Sequence, residues 1–206
     1  MQTKINWFGL AGSITVIILI TISMFVPWWQ LTVGDDLVTT NASPLNTNFN
    51  FIGDSFTIPI IMALNIASII SLSAGGIVML IYSLKPQKSY SKRLLSFAYK
   101  KPLYSVLLFV IGLFLITILV KSLFSIDVPL SGSSTSTLPT DMTQGVTLSV
   151  QMNAGFLWPF LLATLSAGLC IAARVYHKKI APINTTKSTP RSPTIITANP
   201  ISATKS

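Results

Sequence analysis

The sequence predicts an all-α membrane protein: a four-transmembrane-helix bundle with a small extracytoplasmic cap that contains β-strands. Three observations predict this class. Half of the 206 residues are hydrophobic, and only 9% are charged, whereas a soluble domain usually carries about a quarter charged residues. The apolar residues are gathered into long runs, and the charges between those runs separate into an acidic set and a basic set.

Four apolar runs are long enough to cross a hydrocarbon core of about 30 Å, which takes about 20 helical residues. They cover residues 7–29, 57–84, 103–123 and 155–175. Away from their ends they contain no ionisable side chain of Asp, Glu, Lys or Arg. Lys121 lies close enough to the end of the third run for its ammonium group to reach the headgroups. Because ion-coupled carriers usually need buried charges, we do not expect this chain alone to form a transport path.

The charges predict which way the spans point. Every acidic residue lies between the first and second spans or between the third and fourth, and these residues are Asp35, Asp36, Asp54, Asp127 and Asp141. Of the 14 basic residues, all except Lys121 lie at the N-terminus, between the second and third spans, or at and after the end of the fourth. The positive-inside rule therefore predicts a multi-pass protein of the cell membrane with cytoplasmic N- and C-termini. The outer loops are residues 30–56 and 126–154, and the basic inner loop is residues 85–102.

The N-terminal run has a second interpretation, since Lys4 precedes an apolar stretch as in a signal peptide. This stretch is longer than the usual 7–15 residues, and no small-residue cleavage site follows it. We therefore predict a retained span. Residues 1–180 form the predicted membrane domain. Residues 181–206 are rich in Ser, Thr and Pro with no acidic residue, which predicts a disordered cytoplasmic tail.

Aromatic residues near the ends of the spans are predicted to anchor them at the headgroup level, where amphipathic rings are favoured. The outer anchors are Trp28, Trp29 and Trp158, and the inner anchors are Tyr82, Tyr104 and Tyr176.

Small and weakly polar residues recur at helical spacing in the second and fourth spans and predict close helix–helix packing. They are Asn65, Ser68, Ser71, Gly75, Gly76, Ala163 and Ala167. We expect some of these faces to meet another protein. A sharper alternative is that Asn65 contacts a ligand such as a quinone or a lipid.

The outer loops contain three short stretches in which polar and apolar residues alternate, at residues 29–33, 48–52 and 146–152. Alternation of this kind predicts two to three antiparallel strands lying on the outer membrane face. Residues 131–140 are predicted to form a flexible spacer because they are rich in Ser and Thr. Asn41 begins an Asn-Ala-Ser triplet and is a candidate glycosylation site on the outside.

The inner loop is strongly basic and contains Lys85, Lys88, Lys92, Arg93, Lys100 and Lys101. Tyr90, Leu94, Phe97 and Ala98 fall on one helical face, which predicts a short amphipathic helix in the inner interface. The basic side chains either contact anionic lipid or a partner, or serve only to set the topology. Nucleic acid is not an expected partner, because the membrane already explains the basic cluster.

The inventory of chemically reactive residues is poor. The chain has one cysteine, Cys170, and one histidine, His177, so it has no internal disulfide and no histidine-rich metal site. We predict no catalytic, cofactor-binding or metal-binding residues, and no cofactor. The expected function is that of a non-catalytic structural, scaffolding or accessory subunit whose partners are membrane lipids and either another protein or a second copy. The alternatives are a subunit of a membrane redox or transport complex and, less favoured, a stand-alone enzyme or transporter.

Overall fold

The computed structural model of the chain describes residues 5–34, 38–45, 47–51, 54–56, 58–124, 126–137 and 149–180. Within them the chain forms five α-helices and six β-strands. The helices are α1 (Trp7–Ile22), α2 (Pro59–Leu84), α3 (Ser91–Ala98), α4 (Lys101–Phe124) and α5 (Trp158–Ile180). The strands are β1 (Trp29–Val33), β2 (Val38–Ala42), β3 (Thr47–Phe51), β4 (Asp54–Phe56), β5 (Gly132–Thr137) and β6 (Ser149–Phe156).

Three helical segments among the described residues are long and apolar enough to cross a membrane: Pro59–Leu84, Ser91–Ser122 and Trp158–Lys179. These correspond to the second, third and fourth predicted spans. The second segment runs through α3 and α4 together. Trp7–Ile22 is apolar but, with 16 residues, shorter.

The first helix ends earlier than the sequence predicts, at Ile22 rather than at residue 29. Ser23 closes its last turn, with its backbone N–H bonded to the carbonyl of Leu19 at 2.8 Å. The backbone of Trp28 then bonds to Ala42 in β2, and β1 begins at the next residue. The end of the predicted span is therefore a turn at residues 23–26, followed by a segment that enters the sheet at Trp29.

The six strands form one antiparallel sheet in the order β4-β3-β2-β1-β6-β5. Two to three strands were predicted, so the sheet is larger than the sequence indicates. The predicted flexible spacer is also wrong over Gly132–Thr137, which forms β5 and pairs with β6 along its length. Threonine favours extended structure, and backbone bonds to β6 need no apolar side chains in β5. Since β6 continues to Phe156, α5 begins at Trp158 and not at residue 155.

The sheet is amphipathic. In β1, Leu31 faces the protein interior, while its neighbour Thr32 lies on the opposite, outward side. Leu31 is paired with Thr40 of β2 and with Ala154 of β6, and all three side chains are buried. Asn153, which pairs with Thr32, is exposed. The alternation predicted for residues 29–33 is confirmed, because one face packs on the helices and the other meets solvent.

The apolar face of the sheet and the helices share one core. A single cluster of buried residues includes Trp28, Leu31 and Met152 from the sheet side, together with Leu19 and Phe109 from the helices. In the bundle, α1 packs between α2 and α5, and α4 packs mainly on α2. The α1–α5 contact is very close, since a Cβ atom added at Gly12 would lie 3.0 Å from Sγ of Cys170.

Candidate functional site

The sequence analysis predicted that the two tryptophans at the end of the first span lie at the headgroups. Both are buried in the protein and therefore do not face the headgroups. The Trp28 side chain is 0% exposed and that of Trp29 is 2% exposed. The indole N–H of Trp28 donates to Oγ of Ser23 at 2.7 Å, and that of Trp29 donates to the carbonyl of Leu130 at 2.8 Å. The rings fill the space between the helix ends and the sheet. Trp158, in contrast, is about half exposed.

A second buried polar cluster lies at the opposite end of the bundle, where the sequence predicted an interface anchor at Tyr82. The Tyr82 side chain is 0% exposed, so its hydroxyl meets the protein and not the headgroups. The side-chain amide of Asn6 donates to Oη of Tyr82 at 2.8 Å and to the carbonyl of Ala173 at 2.9 Å. Oη of Tyr82 also lies 2.8 Å from Nδ1 of His177.

The Tyr82 hydroxyl bridges the other two side chains. Its oxygen accepts from the side-chain amide of Asn6, and the tautomer of the imidazole determines whether Oη or Nδ1 donates in its contact with His177. The remaining polar atom of the amide, Oδ1 of Asn6, accepts the backbone N–H of Gly9 at 3.2 Å. The cluster is thus a satisfied hydrogen-bond clamp that joins the ends of α1, α2 and α5.

The sequence analysis missed Asn6 and His177 as members of this clamp. Part of the signal was present, because Asn directly before an apolar helical run is typical of a helix N-cap. The residues around Tyr82 and His177 contain no sequence pattern that indicates their contact with Asn6. The other two predicted inner anchors remain at the surface of the bundle: Tyr104 is exposed, and Tyr176 is half-buried with its ring 5.3 Å from that of Phe8.

The predicted helix-packing residues are buried inside the chain rather than offered to a partner. Oγ of Ser68 lies 2.6 Å from Oγ of Ser105, and Oγ of Ser71 donates to the carbonyl of Lys101 at 3.0 Å. A Cβ atom at Gly75 would lie 2.6 Å from Cβ of Lys101. These three positions hold α2 against α4.

The remaining members of the set also face neighbouring helices. A Cβ atom at Gly76 would lie 2.6 Å from Cγ1 of Val16 in α1. Asn65, Ala163 and Ala167 are buried as well. These positions therefore pack α2 on α1 and α4 within the chain, and contact of the small-residue faces with another protein stays a prediction.

The predicted helix of the inner loop is present as α3, and the side that it packs on the protein differs from the apolar face predicted for the membrane interface. Ser91, Leu95 and Ala98 are buried, whereas Tyr90 and Phe97 are exposed. The buried face is defined by a cluster that contains Leu95, Ala98 and Tyr82. Of the basic residues, Lys101 is half-buried, and the exposed ones are Lys85, Lys88, Lys92, Arg93 and Lys100.

On the outward face of the sheet, Asn41 is exposed and pairs with Gln30. The serine of its triplet, Ser43, is buried, and its hydroxyl donates to the carbonyl of Ser23 at 3.3 Å. Lys121 and Asp127 form an ion pair at 2.6 Å, in which both side chains are largely exposed. Asp35, Asp36, Asp141 and the tail after residue 180 lie outside the described residues.

Among the described residues, no group of three or more His, Cys, Asp or Glu side chains could hold a metal ion. No protein-family model matches the chain, and no curated protein matches it.

Proposed function

We propose that the chain is a non-catalytic structural or accessory subunit of a cell-membrane assembly, and that it displays a rigid β-sheet on the outer side of the membrane. The observation that carries this proposal is the way the sheet joins the bundle. A short turn joins α1 to β1, and one residue separates β6 from α5. Two neighbouring interior strands of the sheet, β1 and β6, are thus fixed to two packed helices.

The proposed topology has four crossings, with α1 and the segment after it forming the first. Support comes from the contacts that the two ends of this segment make with the two ends of α2. The backbone N–H of Asn6 donates to the carbonyl of Ser83 at 3.2 Å, near the end of α2. Trp28 shares a core cluster with Ile61, near the start of α2. Residues 61–83 of α2 rise about 33 Å at 1.5 Å per residue, close to the thickness of a hydrocarbon core.

The proposed orientation follows from the charges at the two ends. The exposed basic residues of the α2–α3 turn, of α3 and of the α3–α4 turn lie at the same end as the Asn6–Tyr82–His177 clamp. The Lys121–Asp127 pair lies at the sheet end, after the outer part of α4. The positive-inside rule assigns the basic end to the cytoplasm.

The exposed surface of the helices supports a lipid environment. Large apolar side chains are more than 45% exposed on every long helix, among them Ile18, Ile70, Phe114 and Leu165. A soluble monomer rarely leaves so many apolar side chains uncovered. In the proposed assembly this surface contacts acyl chains and the helices of a partner.

The proposed partner contact outside the membrane is the polar face of the sheet. Asn41, Gln151 and Asn153 are exposed there, and the backbone that carries them is hydrogen-bonded to neighbouring strands. Such a surface presents amide donors and acceptors at fixed spacing. Binding therefore requires little further ordering of side chains and backbone.

The test is recovery of the tagged full chain from its native membranes in a mild detergent, followed by mass spectrometry. We expect a stoichiometric partner that is lost with Gln151→Lys and Asn153→Lys. Gln87→Lys is the matched control, since Gln87 is also exposed but lies at the basic end. A chain that is recovered alone, or a partner that is equally retained by all variants, would contradict the proposal.

A further inference from the structure

We infer that a groove between α2 and α4, closed at one end by α3, binds an acyl chain of one anionic phospholipid and that Lys101 meets its phosphate. The lipid comes from the leaflet at the basic end. The inference rests on the proposed membrane location but not on the identity of any partner.

The groove is a concave apolar surface of about 570 Å³, within the range of about 300–1,000 Å³ common for small-molecule sites. Ala67, Ile70 and Ala74 form the α2 wall, and Leu107 and Leu108 form the α4 wall. The two alanines lie seven residues apart, which corresponds to about 10 Å along the helix. Their small side chains leave the space that a hydrocarbon chain would occupy.

Two hydroxyl-bearing side chains line the groove, the buried Ser71 and the exposed Tyr104, and the buried hydroxyl already has a partner. Oγ of Ser71 donates to the carbonyl of Lys101 at 3.0 Å, so it closes the α2–α4 contact. The rest of the floor offers an acyl chain van der Waals contacts and demands no hydrogen bond from it. A polar solute would gain nothing comparable along these walls.

The end of the groove is cationic. Lys101 is half-buried there, and its Nζ lies 4.7 Å from the centroid of the Phe97 ring. Within the part of the chain that the structure describes, no carboxylate forms an ion pair with it. Residues 85–101 contain six basic residues and no acidic one. An anionic group is therefore the complementary ligand for this end.

The groove has apolar walls and one cationic end, and a phospholipid has the complementary arrangement of an apolar acyl chain and a charged headgroup. The occupant is therefore a lipid. Ile70 and Leu107 are more than half exposed beside it, on helical segments that are long and apolar enough to cross a membrane. A soluble anion would fit Lys101 and leave the apolar walls uncovered, and a zwitterionic lipid would bring its own cation close to the ammonium group. An anionic phospholipid satisfies both parts.

The test compares purified full-length protein in detergent with phosphatidylglycerol and with phosphatidylcholine of the same acyl chains, using native mass spectrometry. We expect one molecule of phosphatidylglycerol to bind more tightly than phosphatidylcholine. Lys101→Gln should weaken phosphatidylglycerol binding about fivefold, the factor that corresponds to about 1 kcal/mol for one basic residue at an anionic membrane surface. Lys101→Gln should weaken phosphatidylcholine binding by a smaller factor, because the choline cation already offsets the charge of that lipid's phosphate.

Lys100→Gln is the matched control, because Lys100 carries the same charge but is exposed, with its Nζ over the Tyr99 ring at 5.6 Å. It should change binding less than twofold. Ala74→Phe fills the groove and should weaken both lipids. If Lys100→Gln and Lys101→Gln weaken phosphatidylglycerol binding equally, the lipid responds only to the overall surface charge. If both lipids bind equally, the groove holds only non-specific solvating lipid. Either outcome overturns the inference, as does binding of a second chain in place of lipid. Each is independent of whether a protein partner is recovered.

Discussion

Oη of Tyr82 lies 2.8 Å from Nδ1 of His177, although the two residues are 95 positions apart in the sequence. Tyr82 lies in the last turn of α2 and His177 in the last turns of α5. Asn6, just before α1, completes the contact. Three helix ends are thus tied together by side chains that are largely withdrawn from solvent, and loss of Tyr82 removes a hydrogen-bond partner from both Asn6 and His177.

Tyr82→Phe should lower the stability of the protein by about 1–3 kcal/mol, because it removes one hydroxyl and leaves polar atoms of Asn6 and His177 unpaired. The measurement is the thermal unfolding midpoint in detergent. Tyr90→Phe is the control, since Tyr90 is exposed, and it should change stability by less than about 0.5 kcal/mol. Similar midpoints for both variants would show that the clamp contributes nothing.

Gly76→Ala should destabilise the α1–α2 contact by about 1–3 kcal/mol, because the new methyl group would lie 2.6 Å from Cγ1 of Val16. Gly168→Ala is the matched control. Nothing lies within 4 Å of a Cβ atom at that position, and alanine favours the helix over glycine by about 1 kcal/mol. We expect the unfolding midpoint to fall with Gly76→Ala and to rise with Gly168→Ala. A fall with Gly168→Ala as large as that with Gly76→Ala would contradict the close α1–α2 contact.

Trp28→Ala should cost about 3–5 kcal/mol, as for other large side chains removed from a packed core. The Trp28 ring contacts that of Phe109 at a centroid distance of 5.0 Å and is fully buried. Trp158→Ala removes the same side chain from a position that is 52% exposed and should cost much less. Chemical denaturation of the two variants in detergent compares them, and equal costs would contradict the interior position of Trp28.

The proposed topology is tested by thiol labelling of intact cells with a membrane-impermeant reagent. In a Cys170→Ala background, Asn41→Cys should be labelled, because Asn41 is exposed on the sheet. Gln87→Cys, exposed at the basic end, should be labelled only after the membrane is opened. The reverse pattern would place the sheet inside the cell.

The sequence predicts the long helices well and the sheet poorly. An apolar run identifies α2 over Pro59–Leu84 to within two residues of its predicted start, because the run is uninterrupted and Pro59 fits a first turn. In contrast, β5 has the sequence Gly-Ser-Ser-Thr-Ser-Thr. Its pairing with β6 depends on backbone bonds, which leave no pattern in such side chains.

The polar clamp could not be predicted for a different reason. Asn6, Tyr82 and His177 belong to three helices, and their separations of 76 and 95 residues carry no periodicity. Aromatic residues at the end of an apolar run suggest headgroup anchors at Tyr82 and Trp28 alike. Whether such a ring turns outwards or inwards depends on which helix lies beside it, and that is a property of the assembled bundle.

The pairing of β1 with β6 also sets an order of events during synthesis. Thr32 lies opposite Asn153, 121 residues later in the chain. Until the ribosome has delivered residues 149–156, β1 has a neighbour on one side only, and its other edge offers free backbone donors and acceptors. Because β6 ends two residues before α5 begins, β1 gains its second neighbour only when synthesis has reached the start of the last helix. A chain that stops before β6 would therefore keep one edge of β1 unpaired and prone to pair with another chain. Synthesis of β6 and of the helix that follows it ends the exposure of this edge.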